Sequence, residues 1–350
     1  MKIETVKFFG LNLFRSVTIS VVALLSVAMV CTSCDKDEEE ETLLTLEGSP
    51  QFYLPIYALV GDTLEMHASG VYTPKSTYEW SYEGLDSLYE SDDLLTIKVI
   101  APDSLATYSV TLTADCGDEY YSSSLTQFIT VLDNSSLTGL ALPLKSFIDS
   151  RDNTLYGFVE IGNLQWMDRN LNWKGAGEGF GKTEAAAMLF GRLYTWEDAT
   201  GGVSASGLGN GVQGVCPEGW SVPTDEDWMD LAKAVNGGVE VSFMDNWVGI
   251  APKLMANAQF NGSAVWTYSP KVTPTNEYGW NALASGCASN EYNNYSNMLK
   301  YGFWWSSTEK DSNNAHYKYI YSEYPDVSVN YCAKDGMAAS VRCVRLKGNN

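Results

Sequence analysis

The chain is short of histidine and of positive charge. Only His67 and His316 occur among its 350 residues, so catalysis through imidazole has two candidates, and no nucleophile motif surrounds Asn314-Ala315-His316-Tyr317. Lys and Arg total 22 against 43 Asp and Glu, a formal charge of −21. No broad basic face is left for phosphate backbones, which excludes nucleic acid as a partner. No Cys/His group has zinc-ligand spacing and no glycine-rich loop joins a strand to a helix, so neither a metal nor a cofactor is expected. The apolar run Val17–Val30 is 14 residues long, short of the roughly 20 that a membrane-spanning helix needs. Charged residues make up 19%, below the roughly 25% of average domains. Apolar residues, at 45%, suffice for globular cores and exclude disorder throughout. The length suggests about two domains. What the chain has in quantity is aromatic: 11 Trp and 21 Tyr must either pack in a core or face a ligand.

Residues 1–33 read as a secretory leader, with Lys2, Lys7 and Arg15 ahead of the short apolar run and small residues behind it. Thr32-Ser33-Cys34 resembles the lipobox of bacterial lipoproteins, in which the Cys is lipidated and becomes the mature N-terminus. Cys31 follows bulky Met29 and Val30, whereas Cys34 follows two small residues and precedes a polar run, so Cys34 is the expected lipidation site and the membrane is a partner through that lipid. The alternative is an uncleaved anchor or a secreted protein. Loss of Lys2, Lys7, Arg15 and Glu4 with the leader takes the charge from −21 to −23. The dense acidic run after Cys34 makes residues 34–43 a solvated tether. It also resembles the surface-export signal of Bacteroidetes lipoproteins, which implies an outer-membrane protein exposed on the cell surface.

Residues 44–133 alternate short β-rich runs with turn residues, the pattern of an all-β sandwich. In Thr107–Thr113 the residues Tyr108, Val110 and Leu112 fall on one face and polar residues on the other. Trp80 stands where an immunoglobulin-like sandwich keeps its central-strand tryptophan. The segment resembles bacterial immunoglobulin-like and polycystic-kidney-disease-like modules, and its expected role is a spacer. Thr63, Ser87 and Ser104, each between Asp and Leu, resemble the short O-glycosylation sequon of the Bacteroidetes, although Asp-Ser and Asp-Thr are also common turn pairs. Residues 134–146 read as a linker, and ten of the 11 Trp lie beyond it.

Residues 147–347 carry ordered landmarks: Ile161-Gly162-Asn163-Leu164-Gln165-Trp166-Met167, Asn170-Leu171, Gly191-Arg192-Leu193-Tyr194-Thr195-Trp196, Cys216-Pro217-Glu218-Gly219-Trp220, Pro223-Thr224-Asp225, Trp304-Trp305-Ser306-Ser307-Thr308 and Val341-Arg342-Cys343-Val344. In this order they closely resemble the Fibrobacter succinogenes major paralogous domain. The resemblance implies an α+β, C-type-lectin-like fold with long loops, and it implies no activity. On their own terms the residues predict a helix opened by Thr224, with Asp227 three residues on and the apolar stripe Trp228, Leu231, Ala232 and Val235. Trp166, Trp220, Trp304 and Trp305 are expected in the core, where one Trp buries about 150–250 Å².

Four cysteines of this segment, Cys216, Cys287, Cys332 and Cys343, allow three connectivities in an oxidising compartment. The nested pattern of the lectin-like group implies Cys216 with Cys343 and Cys287 with Cys332, leaving Cys116 buried and unpaired. Were Cys287 and Cys332 instead accessible thiols, they would suit an enzyme of the formylglycine-generating type. A lectin-type calcium site is not expected, because Trp280-Asn281-Ala282 lacks the acid that would follow Asn. The best binding candidates are Tyr292, Asn293, Asn294 and Tyr295, whose rings and amides suit a sugar or peptide. The resulting expectation is a non-catalytic surface lipoprotein that binds an extracellular glycan or a surface protein. Its alternative is a structural component of an envelope or fimbrial assembly.

Overall fold

The computed structural model describes residues 42–243 and 245–348. The leader, Cys34 and most of the acidic tether lie outside the described residues. From Leu43 onward the chain forms one compact, β-rich unit.

Its first part is built from two facing sheets. One has the order Tyr57–Leu59, Ser123–Leu132, Thr107–Asp115, Thr77–Ser81, and the other Thr63–His67, Thr96–Ile100, Asp86–Glu90. Alternation fixes which side of each strand is buried. Val110 and Leu112 are sealed in the core with Ile97, Val99, Ile129 and Val131, while on the outer face Thr107, Thr111 and Thr113 pair hydroxyls with Thr130, Thr126 and Ser124, each at 2.8 Å. Trp80 is half-buried, edge-on to Phe52 at 5.1 Å, and its indole N–H donates to the Leu94 carbonyl at 2.8 Å.

Residues expected as a linker are knitted into the second part. Asp133 caps a short turn at Asn134–Ser136, Leu137 and Thr138 pair with Phe260 and Gln259, and Ala141 exchanges two 2.9 Å hydrogen bonds with the Asn281 amide. Leu132 belongs to the same apolar cluster as Phe190 and Phe260, and Tyr57 meets Phe260 edge-on at 5.8 Å. The apolar residues Leu137 and Leu140 pack against that cluster, which is why this stretch is held rather than solvated.

The second part is organised on a sheet ordered Leu193–Thr195, Ala338–Ser340, Ser285–Ala288, Tyr301–Glu309, Asn314–Tyr321, Val327–Ala333, with Tyr295–Met298 paired off Ser285–Ala288. A smaller sheet joins Lys145–Asp149, Thr154–Ile161, Leu164–Met167 and Val344–Leu346. The helix Asp225–Val235 forms as its sequence dictates. Thr224 and Asp227 make a reciprocal capping box, and Trp228, Leu231, Ala232 and Val235 are buried. The helix Glu184–Phe190 ends at Gly191, whose φ of +80° and a neighbouring Asn170 Cβ only 2.5 Å from any added Cβ require glycine there.

Nine of the ten tryptophans of this part are buried. Trp166, Trp228, Trp280 and Trp304 form a chain of tilted and edge-on contacts at 4.9 to 6.1 Å. At its centre lies Arg342, fully buried. Its guanidinium sits 4.0 Å over the Trp280 ring, donates to Asn170 Oδ1 at 2.8 and 3.2 Å, and reaches the carbonyls of Met167, Trp280 and Asn281. Asn170 Oδ1 also accepts from the Trp304 indole at 2.8 Å. Burial draws the guanidinium down to about 9, with Asp168 opposing, so it stays protonated at neutral pH.

Arg342→Lys keeps the charge but presents its donors from one nitrogen, and lost hydrogen bonds to a buried charged group cost about 1.5–3 kcal/mol each. Urea unfolding should show a loss of at least about 2 kcal/mol. A variant as stable as the parent would show that the guanidinium does not organise these loops.

Candidate functional site

The loop that the sequence favours for binding folds inward. The Tyr292 hydroxyl donates to Asp198 Oδ2 at 3.0 Å and accepts from the Thr195 N–H at 3.2 Å. Its ring packs, with that of Tyr295, against Leu193, Ala288 and Ala338. Burial pushes both phenols up, joined for Tyr292 by the Asp198 carboxylate and for Tyr295, at about 12, by Glu178. Asn293 and Asn294 are exposed, but their polar groups are engaged with Ser289, Glu291 and each other. The rings are therefore anchors for the loop and not open platforms. The reason is tertiary: Asp198, set by the capping box of the helix Trp196–Thr200, supplies the acceptor that draws Tyr292 in. Tyr317, Tyr319 and Tyr321 are cross-strand partners of Trp305, Phe303 and Tyr301.

The cysteines divide differently from the nested pattern. Cys216 and Cys343 are bridged across 127 residues, whereas Cys287 and Cys332 are free thiols, which corrects the second expected bridge. Two strands of the main sheet, Tyr301–Glu309 and Asn314–Tyr321, stand between the strands that carry them. Three inter-strand steps of about 4.8 Å exceed the Cα separation that a disulfide spans. Burial pushes the Cys332 thiol up to about 12, with Cys287 and Asp335 adding to the shift. Cys116 is free as expected but only half-buried, its thiol donating to the Pro74 carbonyl at 3.2 Å.

His316 sits in a buried polar knot. Its Nδ1 lies 2.6 Å from Asp225 Oδ2, outside straight hydrogen-bond geometry, and Lys318 Nζ lies 2.5 Å from Asp225 Oδ1. Phe243 closes over the imidazole edge-on at 5.2 Å. Burial works to raise the Asp225 pKa, but His316 and Lys318 outweigh it and hold the carboxyl below its ordinary value. Burial likewise lowers Lys318 against the pull of Asp225. The third group on the carboxylate is thus an ammonium, which makes this a structural charge cluster and not a nucleophile triad. Asn281, at the position a calcium site would use, spends its amide on Ala141 and Asn276.

An open hollow of about 100 Å³ lies elsewhere, between the segment 255–274 and Ser322. Its framework is held by backbone: Val265 N–H donates to Ala258 at 3.0 Å, Thr267 N–H to Leu299 at 2.7 Å, and Ser322 N–H to Lys300 at 2.9 Å. Met255, Ala258, Trp266 and Val272 line it, and the Trp266 indole is occupied by the Ala282 carbonyl at 3.0 Å. Tyr268 stands at its rim with 83% of its surface exposed. The buried hydroxyl of Ser322 has no hydrogen-bond partner. No sequence pattern marked this place, because Trp266-Thr267-Tyr268 lies outside any regular repeat and Ser322 joins it only through the fold. In a broader groove on the first part, edged by Glu65, His67, Asp93 and Lys98, Glu65 already pairs with Lys98 at 2.9 Å, and Asp93 accepts from the Ser91 hydroxyl and the Leu95 N–H. Thr63, Ser87 and Ser104 are all exposed.

A sequence profile of the Fibrobacter succinogenes major domain matches residues 159–345. No curated protein sequence matches the chain. Among solved structures, a nucleoside hydrolase-related hypothetical protein from Saccharophagus degradans, associated with carbohydrate metabolism, is 19% identical over 25% of this chain and 26% of its own, with a TM-score of 0.21. A putative alpha-galactosidase from Bacteroides fragilis is 19% identical over 30% of this chain and 21% of its own, TM-score 0.19. The titin M3 domain is 20% identical over 24% of this chain and 97% of its own, TM-score 0.17. The chain thus spans about a quarter or less of the first two, and at these TM-scores the likenesses carry no argument.

Two measurements test the buried groups. Asp225→Asn should cost about 3–5 kcal/mol at pH 7 by leaving Lys318 buried and unpaired. A carboxyl with a lowered folded pKa contributes above its unfolded value of about 3.9 and loses that contribution as pH falls below it. The gap between variant and parent in urea should therefore narrow at pH 3, and an equal gap at both pH values would rule out the ion pair. At pH 8 only about one Cys332 thiol in ten thousand is ionised, so alkylation by iodoacetamide should be about a thousandfold slower than in the unfolded chain. Comparable rates would contradict its burial.

Proposed function

The chain belongs to the Fibrobacter succinogenes major domain family, and we propose that it is a non-catalytic, cell-surface lipoprotein that binds extracellular glycan through its C-terminal, lectin-like part. Lipid on Cys34 holds it to the outer membrane, the acidic residues 34–43 act as tether, and the sandwich at 44–133 raises the binding part from the surface. O-glycans at Thr63, Ser87 and Ser104 would decorate that spacer, where all three residues are exposed. The observation that carries the binding site is the open Tyr268 ring beside a preformed, apolar hollow, since aromatic faces and a few placed polar groups are what sugar recognition uses. Against an enzyme of the formylglycine-generating type stands the Cys332 thiol, which burial keeps protonated where a nucleophile needs a thiolate.

One observation favours the structural-assembly reading. Leu142, Leu144, Ile148 and Leu155 are exposed beside the edge strand Lys145–Asp149, and Ile148 faces Leu155 across the hairpin. Apolar side chains on a free edge invite another chain.

Protease treatment of intact cells should digest the protein, and survival of the full chain would place it on the periplasmic side. On a glycan array the detergent-solubilised lipoprotein should bind, and Tyr268→Ala should weaken binding about tenfold, the change that about 1.4 kcal/mol produces. Absence of binding together with co-purification of envelope proteins lost on Leu144→Asp would favour the assembly reading instead.

A further inference from the structure

The geometry of the hollow points to the chemical group it takes, resting on the glycan-binding reading: we propose that it holds the acetamido group of an N-acetylated amino sugar, with the sugar ring against Tyr268. Size is the first argument. An apolar cavity of about 150 Å³ accommodates benzene, six heavy atoms, so the 100 Å³ here suits a group of about four, the number in an acetamido substituent.

Lining chemistry is the second. Met255, Ala258, Trp266, Val272 and Pro274 offer methyl and ring surface that a methyl group fills and a hydroxyl does not. A hydroxymethyl or ring hydroxyl placed there would be desolvated among apolar atoms. A deacetylated amino group would bring a charge, and no carboxylate lines the hollow to receive it.

The third argument is the unmet hydroxyl. Ser322 lines the hollow, and its Oγ is buried with no partner, an arrangement that costs free energy unless something fills it. One carbonyl oxygen would accept from that hydroxyl, and the acetamido group carries one carbonyl beside its methyl. At the rim the Asn257 side chain is exposed, and none of its polar atoms is hydrogen-bonded within the described residues, so it is free to meet ring hydroxyls. Tyr268, 83% exposed, supplies a face for the sugar's C–H groups. Thr267 spends its hydroxyl on the Leu299 carbonyl at 2.8 Å and Ser269 accepts from the Lys271 N–H at 3.2 Å, whereas the buried Ser322 hydroxyl neither donates nor accepts.

The test is saturation-transfer NMR and titration of the detergent-solubilised full-length lipoprotein with the dimers of N-acetylglucosamine, glucosamine and glucose. The expected result is at least tenfold tighter binding of the acetylated dimer, with the strongest transfer on its acetyl methyl. Ser322→Ala should cut that preference severalfold with the melting temperature unchanged or raised, because the deleted hydroxyl has no partner to lose. Ala264→Leu, at an exposed position lining the hollow, should abolish the preference by filling it. Equal binding of all three dimers, weakened by Tyr268→Ala, would overturn the acetamido assignment and leave glycan binding standing. Acetamido preference that survives both Ser322→Ala and Ala264→Leu would overturn the site. No binding of these dimers or of any arrayed glycan would overturn the glycan reading and this inference together.

Discussion

Placing one guanidinium in a core of tryptophans constrains everything around it. Arg342 carries its charge into a site shut off from water, and such a charge is tolerated only when its donors are met. The acceptors come from the end of the strand Leu164–Met167 and from two segments without regular structure to hold them, Asn170 and Trp280-Asn281. Meeting the guanidinium thus sets their paths. Asn170 passes the constraint on through Trp304, on the strand that leads toward the buried Asp225 and Lys318. Cys343, next to Arg342 and just before the strand Val344–Leu346, is tied to Cys216. In a domain with long loops and short helices, this hub and the disulfide do the work that extended helix packing does elsewhere.

The aromatic load follows from the same economy of regular structure. Tryptophans fill the space between sheet and loops, and half of the ten indole N–H groups there end on backbone carbonyls, among them Trp196 on Ser306, Trp266 on Ala282 and Trp305 on Tyr194. Each ties together segments far apart in the chain while burying a large apolar area. Trp266 shows the consequence for binding. Its indole fixes the floor of the hollow, and Tyr268, two residues on, is left outside. The site is a by-product of anchoring one ring and exposing the other. The seam with the first part is apolar too, through Leu132, Tyr57 and Phe260.

Much of the architecture was legible because it is written locally. The capping box Thr224 to Asp227 and the stripe Trp228 to Val235 specify a helix within a dozen residues. The alternation of Tyr108, Val110 and Leu112 specifies a buried strand face in the same way. Cys216 with Cys343 followed from the family resemblance, but extending that resemblance to Cys287 and Cys332 failed, since strand order in the finished sheet separates them. The Tyr292 to Tyr295 loop has the composition of a binding loop, yet composition does not say which way a ring turns. Asp198, almost a hundred positions earlier, decides it.

By itself, the sequence determined the acidic charge of the chain, the β-rich first part, the helix at Asp225–Val235, the tryptophan core and the family. These are matters of composition, of periods of two and 3.6, and of ordered landmarks, all carried by neighbours along the chain. Tertiary structure alone decided which polar groups meet and which are left over. Arg342 finds Asn170, Lys318 finds Asp225, and Ser322 comes to the hollow beside Tyr268 with its hydroxyl unmet. Hydrogen bonds reach about 3 Å, and only the folded chain brings residues so far apart in sequence within that reach.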